Sequence, residues 1–296
     1  MNGIIVINKP MDFTSFDVVA VMRRATGQRK IGHLGTLDPN ATGVLPLVLG
    51  NATKAQDLIQ NHDKGYIAGF KLGTKTDTLD IWGKPVAKSN LSTTEEKIVE
   101  NLEKFKGEIL QTPPMYSAVQ VDGKRLYDLA RQGKTVERKQ RAVTVYSIQL
   151  LEFDKGTQSG KIEVNCSKGT YIRTIIDDLG EALGTYAVMT SLVRTSACGY
   201  TLSDAVDLQS AREMTDFSSV IKSTESLFMN YRYVKISEAQ SRRFSNGGSL
   251  DTQRTALQRL SPSEGEIFRV KSADETFLGL GIVKSSELKI YKLFKT

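Results

Sequence analysis

The residues best equipped for chemistry crowd into one glycine-rich stretch, Gly32-His33-Leu34-Gly35-Thr36-Leu37-Asp38-Pro39-Asn40-Ala41-Thr42-Gly43-Val44-Leu45-Pro46. Pro39 biases Asp38 away from helical backbone, and the flanking glycines permit sharp turns and the close approach of another chain segment. A carboxylate on a rigid loop can act as nucleophile or base. Asp-Pro also starts turns, and on local features alone turn capping is the better account of Asp38. His33 could be an acid or base, a ring that stacks on an RNA base, or a loop hydrogen-bonder. Thr76-Asp77-Thr78-Leu79-Asp80 adds two carboxylates, read as turn caps or scaffolding. The run Cys166-Ser167-Lys168-Gly169-Thr170-Tyr171-Ile172-Arg173 closes a strand and opens a helix, whose N-terminus favours anions. Arg173 could pair bidentately with a carboxylate, or simply be an exposed arginine on a capped helix start. Between Asp122 and Arg141, seven basic residues stand against three acidic ones, net +4, with Tyr116 and Tyr127 nearby. That mixture grips phosphates and stacks bases, or forms a solvated helix and loop.

Positioning these groups requires regular elements around them. Ile4 to Ile7 is a β-branched apolar run and predicts a strand. Phe16 to Ala25 has helical apolar spacing after Thr14-Ser15, a suitable N-cap pair. Gly27 to Gly50 reads as a long shaped loop running into a strand. Lys64 to Leu72 alternates and predicts a strand. Ser92-Thr93-Thr94-Glu95 has the capping-box pattern before Ile98, Val99, Leu102 and Phe105. Strands are expected over Val143 to Phe153 and Lys161 to Cys166, then a helix over about Tyr171 to Leu183 and a strand over Tyr186 to Arg194. Long strands with interspersed helices indicate an α+β fold. A boundary falls near residue 230, giving a main domain over 1–230 and a small β-rich domain over 231–296, its short strands split by Gly247-Gly248, Ser261-Pro262 and Gly279.

Composition narrows the function. Of the 296 residues, 40% are hydrophobic and 25% charged, which excludes a disordered chain, a collagen and a membrane bundle. The longest uncharged stretch, Pro39 to Thr53, holds two prolines and two glycines and is too short to span a bilayer. With no signal-like N-terminus, the cytoplasm is the default compartment. Lys and Arg exceed Asp and Glu by 40 to 33. Residues 231–296 carry net +5 and the first 230 only +2, so the tail suits a polyanionic partner or a solvated surface. Two histidines exclude a three-histidine metal site, and two cysteines, Cys166 and Cys198, exclude a disulfide framework or a four-cysteine zinc site. Phosphate-cradle, dinucleotide and serine-elbow motifs are all missing.

Taken together, four blocks resemble the bacterial TruB family of tRNA pseudouridine synthases: the Gly32–Pro46 loop; Lys64-Gly65-Tyr66 through Thr76–Asp80; Pro113-Pro114-Met115-Tyr116-Ser117-Ala118-Val119-Gln120-Val121-Asp122-Gly123-Lys124-Arg125-Leu126-Tyr127; and Cys166 through Arg173 to Asp178-Leu179-Gly180. Asn8-Lys9-Pro10 also fits, and the resemblance covers about residues 3–202. Ser237-Glu238-Ala239-Gln240, Phe244-Ser245-Asn246-Gly247 and Leu288-Lys289-Ile290-Tyr291-Lys292 resemble, more loosely, the family's PUA-type RNA-binding domain. Where the family often has Lys and Arg, this chain has Gln120 and Val193, each of which would remove one RNA contact.

The resemblance implies a mixed, largely antiparallel sheet with an RNA cleft. It implies a monomeric isomerase that converts the T-loop uridine(55) of tRNA to pseudouridine without metal or cofactor. It assigns Asp38 as the essential carboxylate, Tyr66 as a base-packing residue, and Arg173 as the partner of Asp38. His33, Tyr171 and Leu192 are implied in substrate binding, with Lys9 and Pro10 behind the catalytic loop. An RNA-folding module with incidental catalysis, and a nucleoside hydrolase releasing uracil, are the competing readings. Removing residues 233–296 is expected to weaken RNA binding and leave residual activity on a T stem-loop.

Overall fold

The computed structural model describes residues 1–117, 119–121 and 123–294. β1 (Gly3–Lys9) is apolar on both faces because it lies between covered strands. α1 (Ser15–Thr26) starts at a capping box. The Thr14 hydroxyl accepts from Asp17 N, the Asp17 carboxylate accepts from Thr14 N, and Gly27 ends the helix in the left-handed region. The expected long loop contains a short strand, β2 (Ile31–His33), that pairs with the end of β3 (Thr42–Leu49). β4 (Lys64–Leu72) follows, then a small hairpin of β5 (Thr74–Thr76) and β6 (Pro85–Lys88).

α2 (Glu95–Glu103) begins later than the capping-box pattern predicts. Gln158 binds the backbone of Thr93 through both its N–H and its carbonyl, so the segment stays extended. Thr94 becomes the N-cap, and its side chain makes no capping bond. Next come β7 (Gly107–Gln111), the short hairpin β8 (Gln120–Val121) and β9 (Lys124–Arg125), and α3 (Leu126–Arg131). They are followed by β10 (Arg141–Asp154), β11 (Ser159–Cys166), α4 (Ile172–Ala182) and β12 (Ala187–Ala197). β13 (Tyr200–Thr201), β14 (Val206–Asp207) and α5 (Leu208–Glu213) close the body.

The architecture is α+β. Ten strands form one mixed sheet in the order β14-β1-β3-β12-β4-β11-β10-β7, with β2 on β3 and β13 on β12. Its ladder is antiparallel except for β1–β14 and β3–β12. Ile172, Ile175, Ile176 and Leu179 of α4 pack with Ile98 and Leu102 of α2 on β4, β11 and β12. Val18, Val19 and Met22 of α1 and Leu208 and Ala211 of α5 pack on β1 and β3. The sheet therefore carries two helical layers, and the parallel β3–β12 contact lies between them.

The tail builds β15 (Tyr233–Lys235), α6 (Glu238–Ser245), β16 (Leu250–Asp251), β17 (Ile267–Lys271), β18 (Phe277–Lys284) and β19 (Glu287–Leu293). Its strands form a separate five-stranded sheet, β15-β17-β18-β19-β16, with its own core. Gly279 does not split strands. It lies inside β18, beside a register shift in the β18–β19 ladder at Leu280/Gly281. The tail is also bound to the body: Leu280 and Phe294 share a buried cluster with Ile4, Val6, Leu227 and Phe228. Arg269 pairs with Glu225 at 2.8 Å and donates to the Tyr231 carbonyl.

Candidate active site

The loop between β2 and β3 is fixed by side chains from three elements. From behind, the ammonium of Lys9, fully buried at the end of β1, donates to the carbonyls of Pro10, Phe13 and Pro39 at 2.8, 2.6 and 3.0 Å. From β12, the guanidinium of fully buried Arg194 donates to the carbonyls of Val44, Thr36 and Gly35 at 2.7, 3.2 and 3.1 Å. From α1, the Ser15 hydroxyl accepts from Leu37 N at 2.8 Å. Gly43 makes the close approach of β3 to β12 possible. It sits at φ +104°, and a Cβ there would lie 2.2 Å from the Arg194 carbonyl oxygen. Residues 35 to 39 are thus tied at almost every position, and Asp38 projects from a framework with little freedom to move.

The Asp38 carboxylate meets Arg173 of α4 at 2.9 Å. Arg173 is buried and divides its fork among four acceptors. Nη2 serves Asp38 and the Tyr116 carbonyl at 2.9 Å; Nη1 serves the Thr78 carbonyl at 3.1 Å and Asp80 at 3.5 Å. Two of these contacts, to the Thr78 and Tyr116 carbonyls, are hydrogen bonds, and the two carboxylates are held as ion pairs. Tyr171, the N-cap of α4, is held through both backbone groups by the amide of buried Gln111, at 2.8 and 3.0 Å. β7 thereby sets the start of the helix that carries Arg173.

The Asp38–Arg173 pair stands between two cavities. One, of about 290 Å³, is lined by Asp38, Lys64, Tyr66, Tyr171, Arg173 and Leu192, together with Gly35–Leu37, Ser117 and Gly169–Thr170. The other, of about 230 Å³, is lined by Asp38–Ala41, Thr78, Asp80, Trp82, Tyr116, Tyr127, Arg173 and Met189. The structure brings Asp38, Tyr66, Tyr171, Arg173 and Leu192 together on the first cavity.

Lys9 and Pro10 are elsewhere. They line a groove with Asn8, Phe13, Val193 and Leu208, and Lys9 is sealed from solvent by the carbonyls it serves. Lys9 thus holds the Asp38 loop from behind, through the Pro39 carbonyl. Val193 faces the same groove rather than the Asp38 cavity, because neighbouring residues on a strand point to opposite faces. Gln120 is exposed on β8. His33 ends β2, two residues before Gly35, outside the lining of either Asp38 cavity. Burial lowers its pKa, with the Arg194 charge adding to the effect, so the ring is neutral at pH 7.

Three participants lack a plain sequence signal. Arg194 is a strand residue like many others until the fold buries it against the loop. Gln111 looks like a surface polar residue at a strand end. Asp80 caps its turn as the sequence predicts, accepting from the Thr78 hydroxyl at 2.6 Å and from Trp82 N at 3.2 Å. It also faces Arg173. Asp77 serves only its turn, accepting from Lys84 N. Of the third sequence block, Ala118 and Asp122 lie outside the described residues, as does the side chain of Arg125. In the basic segment, Arg131 stacks 4.4 Å from the Tyr127 ring centre, and Lys134, Lys139 and Arg141 are exposed.

Electrostatics separates the groups further. Burial lowers the Lys9 pKa to about 8, although Asp38 and other carboxylates pull it back up. Burial pushes Tyr66 up to about 12, against the opposing charge and hydrogen bond of Arg194. The Tyr66 phenol is therefore neutral, and forming its phenolate at pH 7 would cost about 7 kcal/mol. A proton acceptor role for Tyr66 requires that cost to be met by the reacting base itself.

Residues 23–172 match the N-terminal domain of the TruB family pseudouridylate synthases, and residues 173–228 match the tRNA pseudouridylate synthase B C-terminal domain. The chain belongs to the TruB family. It is 45% identical over 282 residues to tRNA pseudouridine synthase B of Lactobacillus delbrueckii subsp. bulgaricus, spanning 91% of this chain and 94% of that protein. It is 41% identical over 294 residues to tRNA pseudouridine synthase B of Clostridium tetani, spanning 99% of each. Among solved structures, a chain of a Cbf5–Nop10–Gar1 complex superposes with a TM-score of 0.74 at 24% identity, over 99% of this chain and 85% of that one. A chain of an H/ACA RNP bound to a substrate RNA containing 2'-deoxyuridine gives 0.74 at 23% identity, with the same coverage. These likenesses identify a pseudouridine-synthase fold.

Proposed function

We propose that this TruB-family chain is a tRNA pseudouridine(55) synthase, isomerising the T-loop uridine with Asp38 as nucleophile. One observation carries the reading: the Asp38 carboxylate, half exposed on a cavity with Tyr66 and Leu192, is held 2.9 Å from buried Arg173. The reaction breaks the C1′–N1 bond, turns the uracil and rejoins it through C5, so no atom is gained or lost. The base must first leave its stack at a cost of a few kcal/mol, which an aromatic and apolar pocket offsets. Tyr66 and Leu192 supply those walls. Attack at sugar C1′ or at uracil C6 both require an ionised carboxylate at a defined place. The ties on residues 35 to 39 and the Arg173 fork provide that placement before substrate arrives. The neutral Tyr66 hydroxyl serves as a relay for the C5 proton.

Residues 1–230 form the catalytic domain in this reading, and residues 231–296 a PUA-like RNA-binding domain. The separate five-stranded sheet and the +5 charge of the tail support the division. No described helix is long and apolar enough to cross a membrane, and a tRNA substrate would place the protein in the cytoplasm.

The test is tritium release from a T stem-loop labelled at uridine C5. Wild-type protein releases the label, and Asp38→Asn binds the RNA but releases none. Tight binding without release by wild type would overturn the reading in favour of an RNA-folding module. Free uracil in the supernatant would indicate a hydrolase.

A further inference from the structure

Each buried cation around the Asp38 loop has its partners. Lys9 serves three carbonyls, Arg194 serves three carbonyls and the Tyr66 side chain, and Arg173 faces two carboxylates. Lys64 differs. It lines the same cavity as Asp38, and its ammonium donates to one acceptor, the His62 carbonyl at 2.8 Å. Among the described residues it forms no ion pair, and the neighbouring Asp63 carboxylate accepts from the Tyr146 hydroxyl at 3.0 Å. Its stem lies against Gly35, 3.3 Å from where a Cβ would stand, so the loop leaves room for this side chain. Asp38 is already paired with Arg173, so no carboxylate on the cavity wall stands at ion-pair distance from Lys64, and Asp63 acts on it only from further off. A largely desolvated ammonium without a counter-ion is costly unless a ligand supplies one. Desolvation lowers its pKa, consistent with that cost.

The position of Lys64 suggests which anion. It opens β4 two residues after half-buried His62, which feels the charges of both Lys64 and exposed Lys168. Asp38 acts instead on Lys9 and Tyr66. Uracil is neutral. The charge that a flipped nucleotide brings to a cavity mouth is that of its phosphodiester. We propose that Lys64 is the phosphate anchor of the target nucleotide, binding the linkage that flanks the uridine whose sugar lies at Asp38. The proposal rests on the isomerase reading given above and adds to it a residue that positions the flipped nucleotide through its backbone.

The test compares wild type, Lys64→Met and Lys64→Arg on a T stem-loop and on stem-loops with a neutral methylphosphonate at either linkage flanking the target. Lys64→Met is expected to bind the native stem-loop about tenfold more weakly, the worth of one charge-assisted hydrogen bond. Its log–log salt slope is expected to flatten by about 0.7–0.9. The loss falls on affinity rather than on single-turnover tritium release from the saturated complex, and Lys64→Arg recovers most of it. On one methylphosphonate RNA, wild type and Lys64→Met should bind alike, because the pair has already been broken.

Unchanged affinity in Lys64→Met overturns the proposal. So do losses that add on both methylphosphonate RNAs, or a slower single turnover with an unchanged salt slope, which would assign Lys64 to the uracil. Should Lys64→Met fold poorly, wild type alone decides: no loss of affinity with either methylphosphonate RNA refutes the anchor. Failure of wild type to release tritium from the native stem-loop refutes the isomerase reading instead.

Discussion

Replacing Arg173 by Lys or Met separates the contributions of charge and geometry at the Asp38 carboxylate. Arg173 donates to the carbonyls of Thr78 and Tyr116 and forms ion pairs with Asp38 and Asp80. At 2.9 Å the gross attraction between Arg173 and Asp38 is about 6 kcal/mol at an effective dielectric of 20. Water screens part of this, since the Asp38 side chain is 47% exposed. The net worth of this half-exposed ion pair is then about 1 kcal/mol. Loss of the fork also frees Asp38 to leave its attacking position.

Arg173→Met is therefore expected to slow single-turnover tritium release by about 10²–10³-fold. Its effect on stem-loop affinity, measured by filter binding, should stay within a few-fold. Arg173→Lys keeps the charge but loses the planar fork that reaches the Thr78 and Tyr116 carbonyls and both carboxylates at once, and a loss of about tenfold is expected. Circular dichroism and a melting curve on both variants exclude misfolding. Equal losses in affinity and turnover would refute the assignment of Arg173 to the carboxylate. Full activity in Arg173→Lys would show that the fork geometry is irrelevant.

Further outcomes follow from the same contacts. Lys9 has a folded pKa of about 8 against an ordinary 10.5, so between those values the unfolded chain holds more protons and stability rises with pH, by up to about 3 kcal/mol from this group. Lys9→Met should abolish that rise in urea melts and lower stability at pH 7 by leaving three carbonyls unserved; parallel pH profiles for the two proteins would contradict it. Asp80→Asn keeps the acceptor for Thr78 and Trp82 but drops the second charge on Arg173, and turnover should fall about tenfold with the melting point unchanged. Deleting residues 233–296 should lower the melting point by about 10 °C, since Phe228 loses its contact with Phe294 at 5.5 Å and the apolar face around Leu227 opens to water. This revises the expectation of an independently active core; an unchanged melting point would restore it.

Local pattern was enough for much of the frame. The alternation of Lys64–Leu72 and the Thr14 cap each involve neighbours in sequence, where backbone preference and periodicity act directly. The motif blocks likewise selected Asp38, Tyr66 and Arg173 as residues to watch, although the features around Asp38 alone favour a turn cap. What a short window cannot contain is a partner from far along the chain. Gln158 moved the start of α2 from 65 residues away. Arg194 acquires its function only when the parallel β3–β12 pairing carries it under a loop 159 residues earlier. Asp80 changes from turn cap to second counter-charge because α4 delivers Arg173 beside it. Lys9 is walled in by the carbonyls of Pro10, Phe13 and Pro39. The sequence by itself determined which groups the protein owns and which segments are stiff. Tertiary structure decided which charges are desolvated and what satisfies each one, because burial is a property of the whole packed chain.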